Sequence, residues 1–360
     1  MIYLIDTVGT ESGMHLYDAM FYVNFKKAGK DVIVLSNFKE NYTIQLISNY
    51  YHGNMVIRIL KLIYSIIRLR LFQNIHNQDT FIYQVFGLNF IDRLYIRALC
   101  HRKNFYALVH DVFDIKDVDN SEKARRMKIR FYKKQIKHII CHSDKAEHAL
   151  IGFGYEGQLV KFPHFRYNYD KQVHNYNEKN VGEDVLNSIS YSRINLLFFG
   201  QLRVTKGVDV LMDTIKKLQY NDRVNIIVAG TDKDKLSYPI TSDNARLILR
   251  YINDDEMVYL YTHCDYVLLP YKEVYQSGVM ESMLYFKKPG IMSDTDYFKY
   301  ILLRYPSFGL MYTPNNSESL STMINDVSIG KYDGFFFYKE EDLNNYEKAH
   351  DLKDIILQTF

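Results

Sequence analysis

The sequence predicts an α/β protein of two Rossmann-like domains, each holding a parallel sheet, facing one another across a cleft. Three observations lead there. Short apolar runs alternate with longer amphipathic stretches along the chain, as buried parallel strands alternate with helices. The alternation occurs twice, on either side of an Asn-, Tyr-, Lys- and Glu-rich stretch at 166–193 with no clear apolar period. The length, 360 residues, exceeds one typical core and suits two domains.

In the first half, strands are expected at 2–8, 32–36, 80–86, 105–110, 138–142 and 159–163. In the second half they are expected at 195–200, 224–230, 247–251, 265–270 and 290–293. Helical patterns fill the gaps, for example 207–219, 254–263, 278–287 and 316–328. Strand, helix, strand order implies right-handed crossovers and parallel pairing. The expected division is a first domain at 1–165, a linker at 166–193 and a second domain at 194–340. A C-terminal helical segment, 341–360, is expected to cross back to the first domain.

Composition excludes several classes. With 47% hydrophobic and 24% charged residues, the chain is neither disordered, collagen-like nor a coiled coil. The abundance of Tyr and Phe without any Trp reads as nucleotide-composition drift and carries no function. Cys100, Cys141 and Cys264 are widely spaced and form no CxxC pair, so neither a disulfide framework nor a zinc knuckle is expected. The N-terminus lacks a basic segment and reaches Asp6 too soon for a signal peptide. The longest apolar stretch, 55–72, is interrupted by Arg58, Lys61, Arg68 and Arg70 and is not a transmembrane helix.

The net charge of +3 hides an asymmetry. Residues 1–165 carry 23 Lys and Arg against 15 Asp and Glu; the remainder carries 22 against 27. Two helical segments concentrate the positive charge. In 55–72, Arg58, Lys61, Ser65 and Arg68 share one face, with Ile59, Leu60, Ile63, Ile66, Ile67 and Leu71 mostly opposite. In 124–138 lie Arg125, Arg126, Lys128, Arg130, Lys133, Lys134 and Lys137. Basic amphipathic helices suit an anionic bilayer; solvated lysines on surface helices are the plainer alternative. No nucleic-acid motif accompanies the charge, so nucleic acid is not an expected partner.

The chemistry concentrates in 271–294, YKEVYQSGVMESMLYFKKPGIMSD. This loop follows a strand, where open parallel sheets bind ligands. Ser277-Gly278 opens a helix, whose unpaired N–H groups suit phosphate oxygens, with small residues allowing close approach. Glu281, one turn in, can accept from two ribose hydroxyls, and Glu273 can reach another hydroxylated group. The second motif, FFGQLRVTKGVDVLMDTIKKL at 198–218, ends a strand at Gly200 and carries Arg203 and Lys206 into a helix. An Arg fork beside a Lys point charge suits a diphosphate.

These residues resemble those of the family 4 retaining glycosyltransferases of the GT-B fold: Gly200, Arg203, Lys206-Gly207, Glu273, Gln276-Ser277-Gly278 and Glu281. The resemblance implies that Arg203 and Lys206 hold a donor diphosphate. It further implies that Glu281 holds the ribose, Glu273 contacts donor-sugar hydroxyls, and Ser277 and Gly278 complete the phosphate site. Many members have Arg directly after the glycine, where this chain has Gln201, so Arg203 is expected to supply the guanidinium. In the first half, Gly9 and Gly13 fall in the loop after the first strand, where the family has a glycine-containing loop. His110, at a strand end, falls where the family often places a His near the donor sugar; Pro163-His164 is a further match. Three D-x-D sequences, at Asp117-Asp119, Asp232-Asp234 and Asp294-Asp296, read as chance matches to a metal pattern.

The implied reaction is metal-independent transfer of a sugar from a nucleotide diphosphate sugar, a UDP-sugar ahead of a GDP-sugar, with retention by front-face attack. No cofactor is expected beyond that donor. The acceptor is expected to be a glycan or lipid-linked intermediate of a surface polysaccharide. That places the enzyme in the cytoplasm, peripheral on the inner face of the cell membrane. Two alternatives share the fold: a nucleotide-sugar 2-epimerase and a non-catalytic partner subunit.

Overall fold

The computed structural model describes residues 1–9, 14–49, 53–113, 122–234 and 242–360. The chain divides into two compact units, Met1–Phe165 with His350–Phe360, and Arg166–Ala349.

The first unit holds β1 (Ile2–Ile5), α1 (Met14–Lys27), β2 (Val32–Ser36), β3 (Thr43–Gln45), α2 (Met55–Ile75) and β4 (Thr80–Phe86). It continues with α3 (Phe90–Leu99), β5 (Phe105–Asp111), α4 (Glu122–Gln135), β6 (His138–Cys141), α5 (Asp144–Gly152) and β7 (Gln158–Lys161). The seven strands pair in parallel in the order β3-β2-β1-β4-β5-β6-β7. Strand order reverses between β1 and β4, the kind of switch point where loops at the carboxyl ends open a crevice. The central strands are apolar on both faces, which is why the middle of the sheet is buried on both sides: β4, for example, has only its end residues partly exposed.

The second unit begins with two short helices, α6 (Asp170–His174) and α7 (Glu183–Leu186). Then come β8 (Ile194–Phe199), α8 (Val208–Lys217), β9 (Val224–Ala229), β10 (Ala245–Ile248), α9 (Asp254–His263), β11 (Tyr266–Leu269) and α10 (Gly278–Tyr285). It closes with β12 (Gly290–Ser293), α11 (Asp296–Arg304), β13 (Gly309–Tyr312), α12 (Ser317–Ser328) and α13 (Glu340–Ala349). Six parallel strands run β10-β9-β8-β11-β12-β13, with the switch point between β8 and β11. Leu196, Phe198, Ile226, Val228 and Leu268 pack against Leu211 and Ile215 of α8 and Leu320 and Ile324 of α12.

Two boundaries differ from expectation. Residues 166–193 are not a linker but part of the second unit. Val181 and Val185 are buried there, and Asp184 and buried Glu256 both grip Arg250, at 2.6 and 2.7 Å. Short polar helices with few apolar anchors leave no periodic trace in sequence, which is why the stretch looks structureless. The C-terminal segment is two helices rather than one, α13 and α14 (Lys353–Thr359), broken near Asp351. Only His350–Phe360 belongs to the first unit, where the Phe360 ring lies 5.5 Å from Phe25 and 5.0 Å from Tyr106. Two short strands, β3 and β13, had no expectation attached.

Candidate functional site

In the second unit, the loops leaving β8 and β11 meet at the switch point. Gly200 follows β8 with φ of 106°, a left-handed conformation that favours glycine. Opposite it, a Cβ on Gly230 would lie 1.7 Å from the Gly200 carbonyl oxygen, so the two backbones touch directly. The chain then forms a 3₁₀ turn, Val204–Lys206, whose Val204 N–H donates to Asp234 Oδ2 at 2.8 Å. Gly207, at φ of 70°, ends the turn and starts α8; a Cβ there would lie 1.7 Å from the Pro270 carbonyl oxygen. Lys272 N–H donates to the Thr205 carbonyl at 2.9 Å, which fastens the two loops together.

That fastening places the predicted cations. The Lys206 ammonium sits 5.2 Å over the Tyr271 ring and 3.5 Å from the point where a Gly200 side chain would begin. Val279, in the first turn of α10, approaches the same point at 3.5 Å. Gly200, Lys206 and the start of α10 thus converge. Arg203 Nε donates to Gln201 Oε1 at 3.0 Å. The residue that departs from the family pattern therefore holds the guanidinium expected to replace it.

Helix α10 begins at Ser277, whose Oγ accepts from Met280 N–H at 3.2 Å in an N-cap. A Cβ on Gly278 would meet the Tyr167 ring at 3.0 Å. Glu281 is 1% exposed. Its Oε1 accepts from the Tyr346 hydroxyl at 2.6 Å, and its Oε2 has no partner. Burial pushes this carboxyl up to about 8, opposed by the Tyr346 hydrogen bond and the Arg166 charge. Arg166 in turn pairs with Glu347 at 2.5 Å and lies 5.7 Å over the Tyr346 ring. Glu273 is half-buried in the loop after β11, flanked by buried Val274.

Sequence reasoning missed Arg166, Tyr167, Tyr169 and Tyr346. Tyr169 shares a 2.6 Å hydrogen bond with Ser282 of α10, so 166–169 and α13 wall the helix that carries Glu281. The aromatic run RYNY at 166–169 was the available signal, and it lay in the stretch read as a linker.

In the first unit, a buried polar chain runs from the β1 loop to β5. Val8 and Gly9 N–H groups donate to Asp6 Oδ1 and Oδ2, both at 2.8 Å. Gly9 has φ of 62°, and a Cβ there would lie 1.9 Å from Asn37 Oδ1. Asp6 hydrogen-bonds Asp18; burial raises both carboxyls, and the Asp6 charge raises Asp18 further. Gln84 Nε2 donates to Asp18 Oδ1 at 2.7 Å, and Gln84 Oε1 accepts from His110 Nε2 at 2.8 Å. His110 stacks on Phe86, ring centres 4.8 Å apart. Burial, with His142 and His164 nearby, holds its basicity well below an ordinary imidazole. His142 and His164 fall to about 4 and about 3, mainly through burial. All three rings surround Tyr17 at 4.8 to 5.7 Å. Gly13 lies outside the described residues, as do Asp117 and Asp119. Of the other D-x-D pairs, Asp234 caps the Val204 turn and Asp294 faces Lys299 at 3.5 Å. Among the described residues, no cluster of three or more His, Cys, Asp or Glu side chains is placed to hold a metal ion.

Residues 188–349 match the family model described as Glycosyl transferases group 1. Over 100 residues the chain is 28% identical to a GDP-mannose:glycolipid 4-beta-D-mannosyltransferase of Xanthomonas campestris pv. campestris; that segment is 26% of this chain and 28% of the enzyme's length. Among solved structures, sucrose-phosphate synthase (tll1590) from Thermosynechococcus elongatus superposes with a TM-score of 0.67 at 13% identity, covering 98% of each chain. Anabaena Alr3699/HepE, solved in complex with UDP-glucose, superposes with a TM-score of 0.70 at 14% identity, covering 99% of this chain and 97% of that one. At these identities the structural likeness shows the fold alone. The likeness to the group 1 glycosyl transferases lies in residues 188–349, and the chain as a whole has the GT-B fold.

Proposed function

We propose that this chain is a retaining glycosyltransferase that moves a sugar from a nucleoside diphosphate sugar to a hydroxyl of a glycan or lipid-linked acceptor. One observation carries the reading: the buried carboxyl of Glu281 lies one turn inside a helix whose start converges with Gly200 and Lys206. A ribose-binding carboxylate, a phosphate-binding cation and free helix N–H groups are what a nucleoside diphosphate requires. In this reading Glu281 accepts from the ribose hydroxyls. Lys206, Arg203 and the main chain of Ser277 and Gly278 hold the diphosphate. Glu273 contacts the sugar, and His110, a neutral imidazole, is the corresponding group of the first unit.

In the step, the bond between the anomeric carbon and the diphosphate oxygen breaks, and the diphosphate leaves with the electron pair. The acceptor oxygen bonds to the anomeric carbon on the same face, and its proton passes to a donor phosphate oxygen. Fixed cations and N–H dipoles stabilise the charge that builds on the leaving group, usually a large catalytic term. They offset that charge without a metal in this scheme. The relative from Xanthomonas is named for a GDP-sugar and a glycolipid acceptor, and HepE was solved with UDP-glucose. The reading keeps a UDP-sugar first and a GDP-sugar second. A membrane-presented acceptor for surface polysaccharide synthesis, met by the basic first unit on the inner face of the cell membrane, completes it.

Thermal shift against UDP, GDP, ADP and their sugar conjugates tests the donor site. A ligand at 100 times its Kd stabilises by about 2.7 kcal/mol, several degrees of Tm. A rise with one base that Glu281→Ala abolishes supports the reading and selects donors for transfer assays. No rise with any nucleotide overturns it.

A further inference from the structure

Helix α2 is built inside out. Its buried residues, Ser65, Leu69 and Gln73, are spaced four apart on one face. That face is tied to the first unit largely by polar contacts. Ser65 Oγ accepts from Ser48 N–H at 2.9 Å, and Gln73 Nε2 donates to the Leu99 carbonyl at 3.0 Å. The guanidinium groups of Arg68 and Arg70 donate to the Gln45 and Ala98 carbonyls at 3.0 and 2.9 Å. The opposite face carries Val56, Leu60, Ile63, Ile67 and Leu71, each 48 to 66% exposed. Their three- and four-residue steps form one continuous apolar stripe. A helix packed on a sheet ordinarily turns such a stripe inward; this one turns it out.

Charge selects what covers the stripe. No Asp or Glu occurs between 55 and 75, while four Lys and Arg residues do. Arg68 lies 5.4 Å over the Tyr64 ring, at the border of the apolar face. Helix α3 touches α2 on one side and, through Arg97 over Phe131 at 5.4 Å, the basic helix α4 on the other. A second copy seated on this face would set four cations against four cations. An anionic bilayer meets both demands, taking the stripe into its acyl boundary and the cations among its headgroups. No described helix is long and apolar enough to cross a membrane.

We propose that α2 is an interfacial anchor that lies in the plane of an anionic membrane with Leu60, Ile63 and Ile67 inserted. This deepens the membrane part of the proposed function and rests on it, since that part invoked only electrostatic attraction to the basic first unit. The chain has no Trp, so Ile67→Trp installs a single indole reporter in the 360-residue chain. With vesicles of equimolar phosphatidylcholine and phosphatidylglycerol, its emission is expected to shift to the blue and to be quenched by brominated acyl chains. Tyr220→Trp, in the second unit and 90% exposed, is expected to show neither. Leu60→Asp and Ile67→Asp are each expected to weaken vesicle binding at least about tenfold, with Tm unchanged. Unchanged binding by both Asp variants overturns the anchor and leaves the membrane reading standing. Absence of binding by the wild type overturns both. Concentration-dependent self-association that the Asp variants abolish also overturns the anchor, since the stripe is then a contact between copies.

Discussion

Tyr346 donates its phenol proton to Glu281 Oε1 at 2.6 Å, a contact between residues 65 positions apart that leaves Oε2 open. The contact orients the carboxyl and holds its proton affinity down against the larger effect of burial. Tyr346→Phe is therefore expected to keep nucleotide binding at high pH and to lose it at neutral pH. The pH profile of Kd, compared between variant and wild type, checks this. Superimposable profiles refute it.

A carboxyl at about 8 is protonated at pH 7, whereas a ribose-binding carboxylate must be ionised. Nucleotide binding is accordingly expected to release close to one proton at pH 7 and to tighten as pH rises toward 8. Calorimetry in two buffers of different ionisation enthalpy measures the release. Equal heats in both buffers would rule out Glu281 as the ribose ligand.

The same shift sets a stability trend. The folded carboxyl holds its proton up to about 8, the unfolded one only to its ordinary 4.5, so stability falls as pH rises from 4.5 to 8. Glu281→Gln removes that dependence. It is expected to exceed the wild type by on the order of 3 kcal/mol at pH 8. Chemical denaturation across this range checks the sign.

Lys206 and Gly207 are neighbours with different jobs. Lys206→Ala is expected to lower transfer by about 100-fold, the typical scale for one charge-stabilising group, with Tm little changed. Gly207→Ala is expected to destabilise the fold by about 2 kcal/mol or more, because its Cβ meets the Pro270 carbonyl at a left-handed backbone position. Transfer rates and melting curves for the two variants separate the cases.

In the first unit, burial and the Asp6 charge raise the proton affinity of the Asp18 carboxyl. Asp18→Asn, which places a neutral group facing Gln84, is expected to retain fold and activity within a few-fold. Asp6→Asn replaces one of the two acceptor oxygens with an NH2 donor, so either the Val8 or the Gly9 N–H loses its partner, and it is expected to cost more, about 1–3 kcal/mol. His110→Ala is expected to lower kcat more than it raises KM. A Tm series with steady-state kinetics tests all three.

Parallel strands were legible because each is a short apolar run, and β2, β4 and β12 lie where the runs do. Strand β3 was not, since Thr43–Gln45 has only one apolar residue and pairs at the sheet edge. The motifs at 198–218 and 271–294 were visible because their residues fall within short sequence windows. Tyr346 was invisible because it reaches α10 from far along the chain, and Arg166 sat in an aromatic run inside the stretch read as a linker. Helix α2 shows the limit of periodicity: the stripe is plain in sequence, but the direction it faces is decided by Ser65 and Gln73 docking through hydrogen bonds.

The return of His350–Phe360 to the first unit has a consequence for biosynthesis. Ile356 is buried there, and Phe360 packs on Phe25 and Tyr106. A ribosome making this chain must therefore finish the entire second unit before the first can close its last apolar seam. During that interval the unit waits with part of α1 uncovered, a window in which a chaperone has something to hold.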